Sequence, residues 1–294
     1  MAPVLSFLLC LLTTPAIAKV AGGFNSPIKE ELLDTQAHKK GTCALGSLAI
    51  SLSVLAGVLV SGDKQSLFLF LNAVPFLLIG LADDIAKYLR HYSDGLSSLS
   101  KLILQLAASV IVAYAICDRA QGSLEWYIYY PVAVLFITAT VNALNITDGL
   151  DSLATKVSMP ALLMAAVCFP ALRSANLVLF TALAAWLIFN SPKASIFMGD
   201  GGSHFIGAFL ALDGLVSGSV PSLLIALLPA YIELLSSFVQ IVSIRLFGRK
   251  VFLIAPLHHD LEKRGLGEAK ITDIFLSLSV FSSLLSAMLF SEVL

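Results

Sequence analysis

Long apolar stretches dominate this chain and leave it few ways to fold. Ten of them approach the roughly 17–25 residues that an α-helix needs to cross a bilayer. Of the 294 residues, 58% are hydrophobic and 13% charged, whereas soluble domains have about 45–50% and about 25%. Because this much apolar surface needs lipid around it, the sequence predicts an all-α polytopic membrane protein. We expect one integral membrane domain over residues 1–294.

The ten predicted spans are joined by mostly short loops. They cover residues 3–20, 43–61, 66–82, 102–117, 127–144, 153–172, 175–190, 203–218, 220–244 and 272–291. Of 18 Lys and Arg residues, only Lys64, Arg119 and Arg173 fall in the loops after spans 2, 4 and 6. The positive-inside rule therefore predicts that the loops after spans 1, 3, 5, 7 and 9 are cytoplasmic and that both termini lie outside. Residues 16–18 resemble a signal-peptidase site, but no basic residue precedes the apolar run. Cleavage would also place the basic loops outside, so we expect the first helix to be retained.

Composition also excludes a soluble nucleic-acid binder and a secreted disulfide scaffold. A net charge of −1 gives no overall field for nucleic acid. The four cysteines are scattered without a CxxC pair, so we expect buried small side chains rather than a metal site or disulfides. They are Cys10, Cys43, Cys117 and Cys168.

Acidic residues cluster at the predicted cytoplasmic ends of the spans. Asp83 and Asp84 close span 3, Asp148 and Asp151 follow span 5, and Asp200 precedes span 8. An ionisable side chain near membrane depth costs at least a few kcal/mol, so such residues are functional candidates. Carboxylates from separate helices suit Mg²⁺ held together with a phosphate substrate. The sequence therefore predicts a magnesium–phosphate site on the cytoplasmic face.

Two further segments fit phosphate chemistry. Three glycines in the segment 199–202 precede a helix and allow backbone amides to approach an anion. His258 and His259 lie near Lys263 and Arg264. We favour phosphate contacts over zinc here, because zinc sites use three or four nitrogen or sulfur ligands and no thiol is nearby.

Several other polar residues have no obvious chemical role. His38, His91 and His204 stand alone in the sequence, and we expect them in loops or in core packing. Asp213 lies within span 8 and has no partner that the sequence identifies.

Three motifs together resemble one enzyme superfamily. They are NALNITDGLD at 142–151, FMGDGGS at 197–203 and RKVFLIAPLHH at 249–259. The chain resembles the polyprenyl-phosphate N-acetylhexosamine-1-phosphate transferases from about Lys39 to Lys270. The last two motifs favour the branch that transfers phospho-N-acetylmuramoyl-pentapeptide.

This resemblance implies a reaction and a location. Such enzymes transfer the sugar phosphate from UDP-MurNAc-pentapeptide to undecaprenyl phosphate, giving lipid I and UMP. It implies Mg²⁺ as cofactor, the bacterial inner (plasma) membrane as location and a homodimer as a plausible assembly.

The resemblance also implies roles for individual residues. Catalytic positions match Asp83, Asp84, Asp200, His258 and His259. Substrate-binding positions match Lys87, Lys101, Asn145, Asp148, Asp151 and Phe197. Among these, Asp200 and Asp148 are the expected Mg²⁺ ligands, while Asp151 and Phe197 are the expected uracil contacts.

Three positions depart from the family pattern. Asp260 stands where the family usually has a third histidine, and Leu99 where it has a lysine. The segment 42–47 is a degenerate version of a Thr-Pro-Thr-Met-Gly-Gly motif. Because the aspartates are intact, we expect an active enzyme.

Three alternative functions fit parts of this pattern. A UDP-N-acetylglucosamine:polyprenyl-phosphate transferase would share most of these motifs. A CDP-alcohol phosphotransferase would carry an arginine soon after the aspartates, and residues 152–155 contain none. An ion-coupled transporter would place its carboxylates near the bilayer midplane, often within an inverted repeat, and the sequence shows no repeat.

Overall fold

The predicted all-α architecture is confirmed. A computed structural model describes residues 1–25, 32–91, 95–117 and 126–290. Within these ranges the regular elements are helices, and β-type pairing is limited to isolated bridges at Cys43. The α-helices are α1 (Ala2–Val20), α2 (Leu33–Gln36), α3 (Gly46–Ser61), α4 (Lys64–Arg90), α5 (Ser98–Cys117), α6 (Trp126–Thr147), α7 (Leu153–Cys168), α8 (Arg173–Asn190), α9 (Gly199–Val216), α10 (Val220–Ala226), α11 (Leu228–Phe247), α12 (Leu257–Lys263) and α13 (Glu268–Phe290).

These helices follow the ten predicted spans closely. In the described part of the chain, seven are long and apolar enough to cross a membrane, and α3 and α7 are apolar but shorter. The sixth span ends at Cys168 rather than 172, and the ninth is divided at Leu227. Prolines explain both differences, because Pro170 and Pro229 open new helices and lack the N–H that the preceding helix would need. Ten crossings with both termini outside remain a prediction.

Helix α9 lies at the centre of the bundle. Every residue from Gly201 to Leu215 is buried, and the helix packs against α3, α4, α6 and α10. Neighbouring helices rather than lipid therefore surround it. This environment allows α9 to carry Asp200 and Asp213, which a lipid-facing helix could hold only at considerable cost.

Successive long helices alternate in direction, so half of their ends meet at one end of the bundle. Helices α1, α4, α6, α8 and α11 end there, and α3, α5, α7, α9 and α13 begin there. Hydrogen bonds join these ends: the Gly46 N–H donates to the Phe197 carbonyl at 2.9 Å, and the Ser152 N–H donates to Asn190 Oδ1 at 3.1 Å. The acidic clusters singled out in the sequence all lie at this end.

Two glycines allow α4 and α9 to approach closely there. A Cβ at Gly80 would lie 2.3 Å from the Asp200 carbonyl oxygen and 2.5 Å from Gly201 N. Gly199 has a φ of +69°, and a Cβ there would lie 2.5 Å from Asp84 Oδ2. Glycine is required at both positions because a side chain would separate the two helices.

We expect Gly80→Ala to loosen the contact between α4 and α9. The added methyl group would meet backbone atoms, which cannot move aside without shifting a helix. The free energy of unfolding should fall by about 1–3 kcal/mol, the usual cost of overpacking. Thermal unfolding in detergent measures this, with Gly267→Ala as control because its Cβ would meet nothing within 4 Å. Equal melting of the Gly80 variant and wild type would contradict the close approach.

Candidate functional site

Three carboxylates from two helices form the centre of the site. Asp83 and Asp84 lie near the end of α4, and Asp200 lies in the first turn of α9. Each offers an oxygen within 4.8 Å of the other two, and we call these three residues the acidic centre. Asp83 and Asp84 are each only 1% exposed. Negative charges this close repel one another unless cations lie between them.

Two lysines supply those cations. Lys87 Nζ lies 2.8 Å from Asp83 Oδ2 and 3.0 Å from Asp200 Oδ2. Lys101 Nζ lies 3.3 Å and 2.6 Å from the same two atoms. The other oxygen of Asp83 accepts a 2.7 Å hydrogen bond from the Leu96 N–H. Two ammonium groups thus offset two of the three carboxylates.

Asp84 has a different task from its neighbour, because it caps α9. Its Oδ1 accepts the Asp200 N–H and its Oδ2 accepts the Gly201 N–H, both at 3.0 Å. A carboxylate at a helix N-terminus satisfies unpaired amides and interacts favourably with the helix dipole. Asp84 therefore fixes the backbone that carries Asp200.

The acidic centre opens onto a cavity of about 1280 Å³. This exceeds the roughly 300–1,000 Å³ of a typical small-molecule pocket, so there is room for more than one substrate. All six predicted substrate-binding residues line it: Lys87, Lys101, Asn145, Asp148, Asp151 and Phe197. His259 lines it as well.

Charges of both signs line the cavity in equal numbers. The described aspartates are Asp83, Asp84, Asp148, Asp151 and Asp200. The lysines are Lys39, Lys87, Lys101, Lys250 and Lys263. With all ten groups ionised the cavity would carry no net charge, so bound phosphates would make it negative unless a further cation accompanied them.

Asp148 faces the cavity from the loop after α6 but is not among the three carboxylates of the acidic centre. Burial, and then the charges of Asp200 and Asp84, raise the pKa of Asp148 well above its usual range. A nearby cation would counteract both effects, which suits the side chain to a metal or ammonium neighbour.

His258 lies behind the cavity wall rather than on it. Its side chain is fully buried, and Nδ1 lies 3.0 Å from Oε2 of Glu233 in α11. Its Nε2 has no hydrogen-bond partner among the described residues. A Cβ at Gly149 would lie 2.2 Å from that nitrogen. Glu233 therefore orients the imidazole so that Nε2 points at the Asp148–Gly149 turn.

His259 packs beside it, with ring centroids 4.1 Å apart. Its Nδ1 lies 3.1 Å from Glu262 Oε2. Burial lowers the pKa of His259 to about 4, outweighing the favourable contact with Glu262. The imidazole is therefore neutral at pH 7 and can act as a hydrogen-bond donor or acceptor on the cavity wall.

Lys39 is a site residue that the sequence did not reveal. Only 8% exposed, it lies 2.8 Å from Asp151 Oδ1 and 2.5 Å from Glu268 Oε1. Its Nζ also lies 5.9 Å from the centre of the Phe197 ring. In the sequence Lys39 is one of two adjacent lysines that the positive-inside rule alone explains, and its neighbour Lys40 is exposed.

Two residues that looked isolated in the sequence have buried partners. His204 is buried in the core, as expected, and its ring nitrogens lie against the Asp200 carbonyl and Gln105. Asp213 Oδ1 accepts a 3.0 Å hydrogen bond from Asn176. Partners far away in sequence could not be identified from local patterns. The side chain of His38 lies outside the described residues, and His91 is exposed at the end of α4.

Two of the three family departures, Asp260 and Leu99, lie away from the acidic centre. The third, segment 42–47, lies beside it: Ala44 lines the same cavity, and the Ser47 N–H donates to the Met198 carbonyl at 3.0 Å. Asp260 accepts the Leu253 N–H at 2.7 Å and pairs with Arg264 at 2.5 Å, so it anchors the loop before α12. Leu99 is 67% exposed. Cys10 and Cys43 are buried, as expected, whereas Cys168 is only partly buried. The side chain of Cys117 lies outside the described residues.

Comparisons with known proteins agree on one family. The family described as glycosyl transferase family 4 matches residues 66–218, just over half of the chain. A phospho-N-acetylmuramoyl-pentapeptide-transferase of Thermotoga neapolitana is 33% identical over 98% of this chain and 98% of its own length. Proteins of the same name from Thermotoga maritima and Clostridium acetobutylicum are 32% and 31% identical over 98% and 96% of both chains.

We expect Lys39→Met to destabilise the protein, because it leaves the carboxylates of Asp151 and Glu268 without their shared cation. Removing one partner of a buried ion pair costs about 3–5 kcal/mol. Lys40→Met is the matched control, since Lys40 is exposed. Thermal unfolding of the two variants in detergent should separate them clearly. Identical melting temperatures would show that the ion cluster contributes nothing to stability.

The lowered pKa of His259 predicts that the stability of the protein is sensitive to acid. The unfolded chain protonates His259 near pH 6.5, whereas the folded chain does so near pH 4, so stability falls as the pH drops between these values. We expect His259→Gln to lose less stability than wild type between pH 7 and pH 5. The difference is at most about 1.4 kcal/mol per pH unit. His91→Asn, at an exposed position with a left-handed backbone, should behave as wild type.

Proposed function

The chain belongs to glycosyl transferase family 4, and we propose that it transfers phospho-N-acetylmuramoyl-pentapeptide from its UDP-activated form to undecaprenyl phosphate. The products would be lipid I and UMP. The chain is a multi-pass membrane protein and a phosphoglycosyl transferase. We propose the bacterial inner membrane as its location, and homodimer formation stays a prediction.

The observation that carries this proposal is the clustering of lysines and aspartates in one cavity at one end of the helix bundle. Phosphoryl transfer depends mainly on positioning the phosphates and offsetting their charge. Lys87 and Lys101 already lie between Asp83 and Asp200. A diphosphate entering here would meet fixed ammonium groups rather than mobile water.

The chemical step balances without a strong base. An oxygen of the lipid phosphate forms a bond to the phosphorus that carries the sugar, and the bond from that phosphorus to the bridging oxygen breaks as UMP leaves. A phosphate monoester has a second pKa near 6, so this nucleophile is largely ionised at neutral pH. Both oxygens of Asp83 are already engaged by Leu96 and the two lysines. These contacts support an orienting role for Asp83 rather than proton abstraction.

We propose Mg²⁺ as the cofactor, because the donor atoms fit it. Asp83, Asp84 and Asp200 present hard carboxylate oxygens within 4.8 Å of one another, the ligand type that Mg²⁺ prefers. Asp200 is the principal candidate ligand, and Asp148 faces the same cavity. When bound, the ion would supply the positive charge that the balanced cavity lacks.

The nucleoside end of the donor has a candidate pocket beside Phe197. The ring lines the cavity close to Lys39, and we propose that uracil stacks on it. Asp151 accepts the Ala194 N–H at 2.8 Å and pairs with Lys39, so it would also hold the wall of this pocket. Asn145, which donates to Ser203 Oγ at 3.1 Å, lines the same cavity.

The cavity also has an apolar side that suits a polyprenyl chain. Leu102 of α5 and Ile241 and Ile244 of α11 line it, together with Leu253. Leu102, Ile241, Ile244 and Leu253 are all exposed to at least 40%. Apolar side chains beside a charged centre are what a substrate with a lipid tail and a phosphate head requires.

The purified protein should release UMP only when both substrates are present. We expect labelled lipid from UDP-MurNAc-pentapeptide and undecaprenyl phosphate with Mg²⁺, and no product after addition of EDTA. The same assay with UDP-N-acetylglucosamine tests the alternative donor. Labelled lipid from UDP-N-acetylglucosamine alone would show that this sugar nucleotide is the donor instead. If neither donor released UMP, transferase activity would be refuted.

Within that assay, Asp200→Asn should lower turnover by at least about 100-fold, the effect of removing one charged group that acts in the transition state. Asp213→Asn is the control, because Asp213 lies on the same helix, is fully buried and does not line the cavity. It should retain near-normal turnover. Near-normal activity of the Asp200 variant would remove this carboxylate from the mechanism.

A further inference from the structure

A buried histidine lies directly behind Asp200. His204, one turn later on α9, is 0% exposed, and its Nδ1 lies 2.5 Å from the Asp200 carbonyl oxygen. Its Nε2 lies 2.7 Å from Nε2 of Gln105, which is also 0% exposed. Both imidazole nitrogens are therefore engaged, and neither reaches solvent.

The contacts continue to the cavity wall. Oε1 of Gln105 accepts a 2.8 Å hydrogen bond from Nδ2 of Asn142. The same Nδ2 donates to the Thr138 carbonyl at 2.8 Å. Asn142 lines the cavity. A chain of three side chains from three helices thus links the cavity wall to the Asp200 carbonyl.

Backbone carbonyls at both ends fix the direction of this chain. The Thr138 carbonyl can only accept, so the nitrogen of Asn142 must face it and must also donate to Gln105 Oε1. The nitrogen of Gln105 then faces His204 Nε2, which must accept. The imidazole proton is therefore on Nδ1 and is donated to the Asp200 carbonyl. Each hydrogen bond in the chain has one donor and one acceptor.

The backbone of Asp200 is consequently held from two sides. Asp84 accepts its N–H at 3.0 Å, and His204 donates to its carbonyl. Gly80 leaves no space for the turn to shift towards α4. The direction of the Asp200 carboxylate depends on how firmly this first turn of α9 is held.

We propose that His204, supported by Gln105 and Asn142, is a positioning residue that fixes the Asp200 carboxylate for phosphoryl transfer. This inference rests on the proposed function, since it assigns a role within that reaction. A misplacement of about 1 Å at a reacting group can cost roughly 100-fold in rate. His204 acts through Asp200 and does not line the cavity.

Two substitutions at position 204 separate hydrogen bonding from packing. His204→Leu fills space but cannot donate to the Asp200 carbonyl. His204→Asn can do so, because three asparagines here donate to the carbonyl four residues earlier: Asn72, Asn142 and Asn176. We expect the Leu variant to lose about 10- to 100-fold in kcat, with KM for the donor within about twofold. The Asn variant should stay within about threefold of wild-type kcat.

Ser109→Ala is the matched control. Ser109 Oγ and Thr138 Oγ1 form a buried 2.9 Å hydrogen bond between the same helices, α5 and α6, without reaching Asp200. Its kcat should equal that of wild type. An unchanged kcat in His204→Leu would overturn the inference. So would equal losses in the Leu and Asn variants, or a comparable loss in Ser109→Ala.

A spectroscopic measurement tests the chain without any turnover. In protein labelled with ¹⁵N-histidine, the His204 signals are those lost in His204→Asn. We expect a protonated Nδ1 and an unprotonated Nε2, with the Nε2 signal shifting in Gln105→Leu. The opposite tautomer would overturn the inference. If wild type transfers no sugar phosphate but shows this tautomer, the proposed function fails while the hydrogen-bond chain stands.

Discussion

The site depends on the mutual compensation of charges buried at one end of a helical bundle. Asp83, Asp84 and Asp200 could not remain ionised together in this environment without Lys87 and Lys101 between them. The lysines in turn would be costly to bury without the carboxylates. The charge cluster therefore holds α4, α5 and α9 in register, and the same groups are available to phosphates.

Helix α9 shows how the fold places this chemistry beside lipid. Other helices surround it, so it can carry Asp200 at one end and a polar pair, Asp213 with Asn176, further along. Asp84 caps the N-terminus of α9, and the glycines in the first turn of α9 allow close contact with α4. The outer helices meet the lipid instead, and their exposed apolar side chains continue to the cavity.

The sequence predicted the parts of this arrangement that are locally encoded. Spans follow from runs of apolar residues, and Asp83, Asp148 and Asp200 stand out because ionisable groups are rare in such a chain. Contacts between distant segments were not predictable. Lys39 and Lys40 look alike in sequence, yet only Lys39 is buried in an ion cluster. His204 seemed isolated because Gln105 lies 99 residues away.

We propose that Asp83, Asp84 and Asp200 hold one divalent cation against a diphosphate. Electron–nuclear double resonance with Mn²⁺ in place of Mg²⁺ tests it most directly, using purified protein with UDP. We expect one tightly bound Mn²⁺ per chain that couples to phosphorus, and loss of this signal in Asp200→Asn. Mn²⁺ that binds without phosphorus coupling, or equally well in that variant, would contradict the proposed metal site.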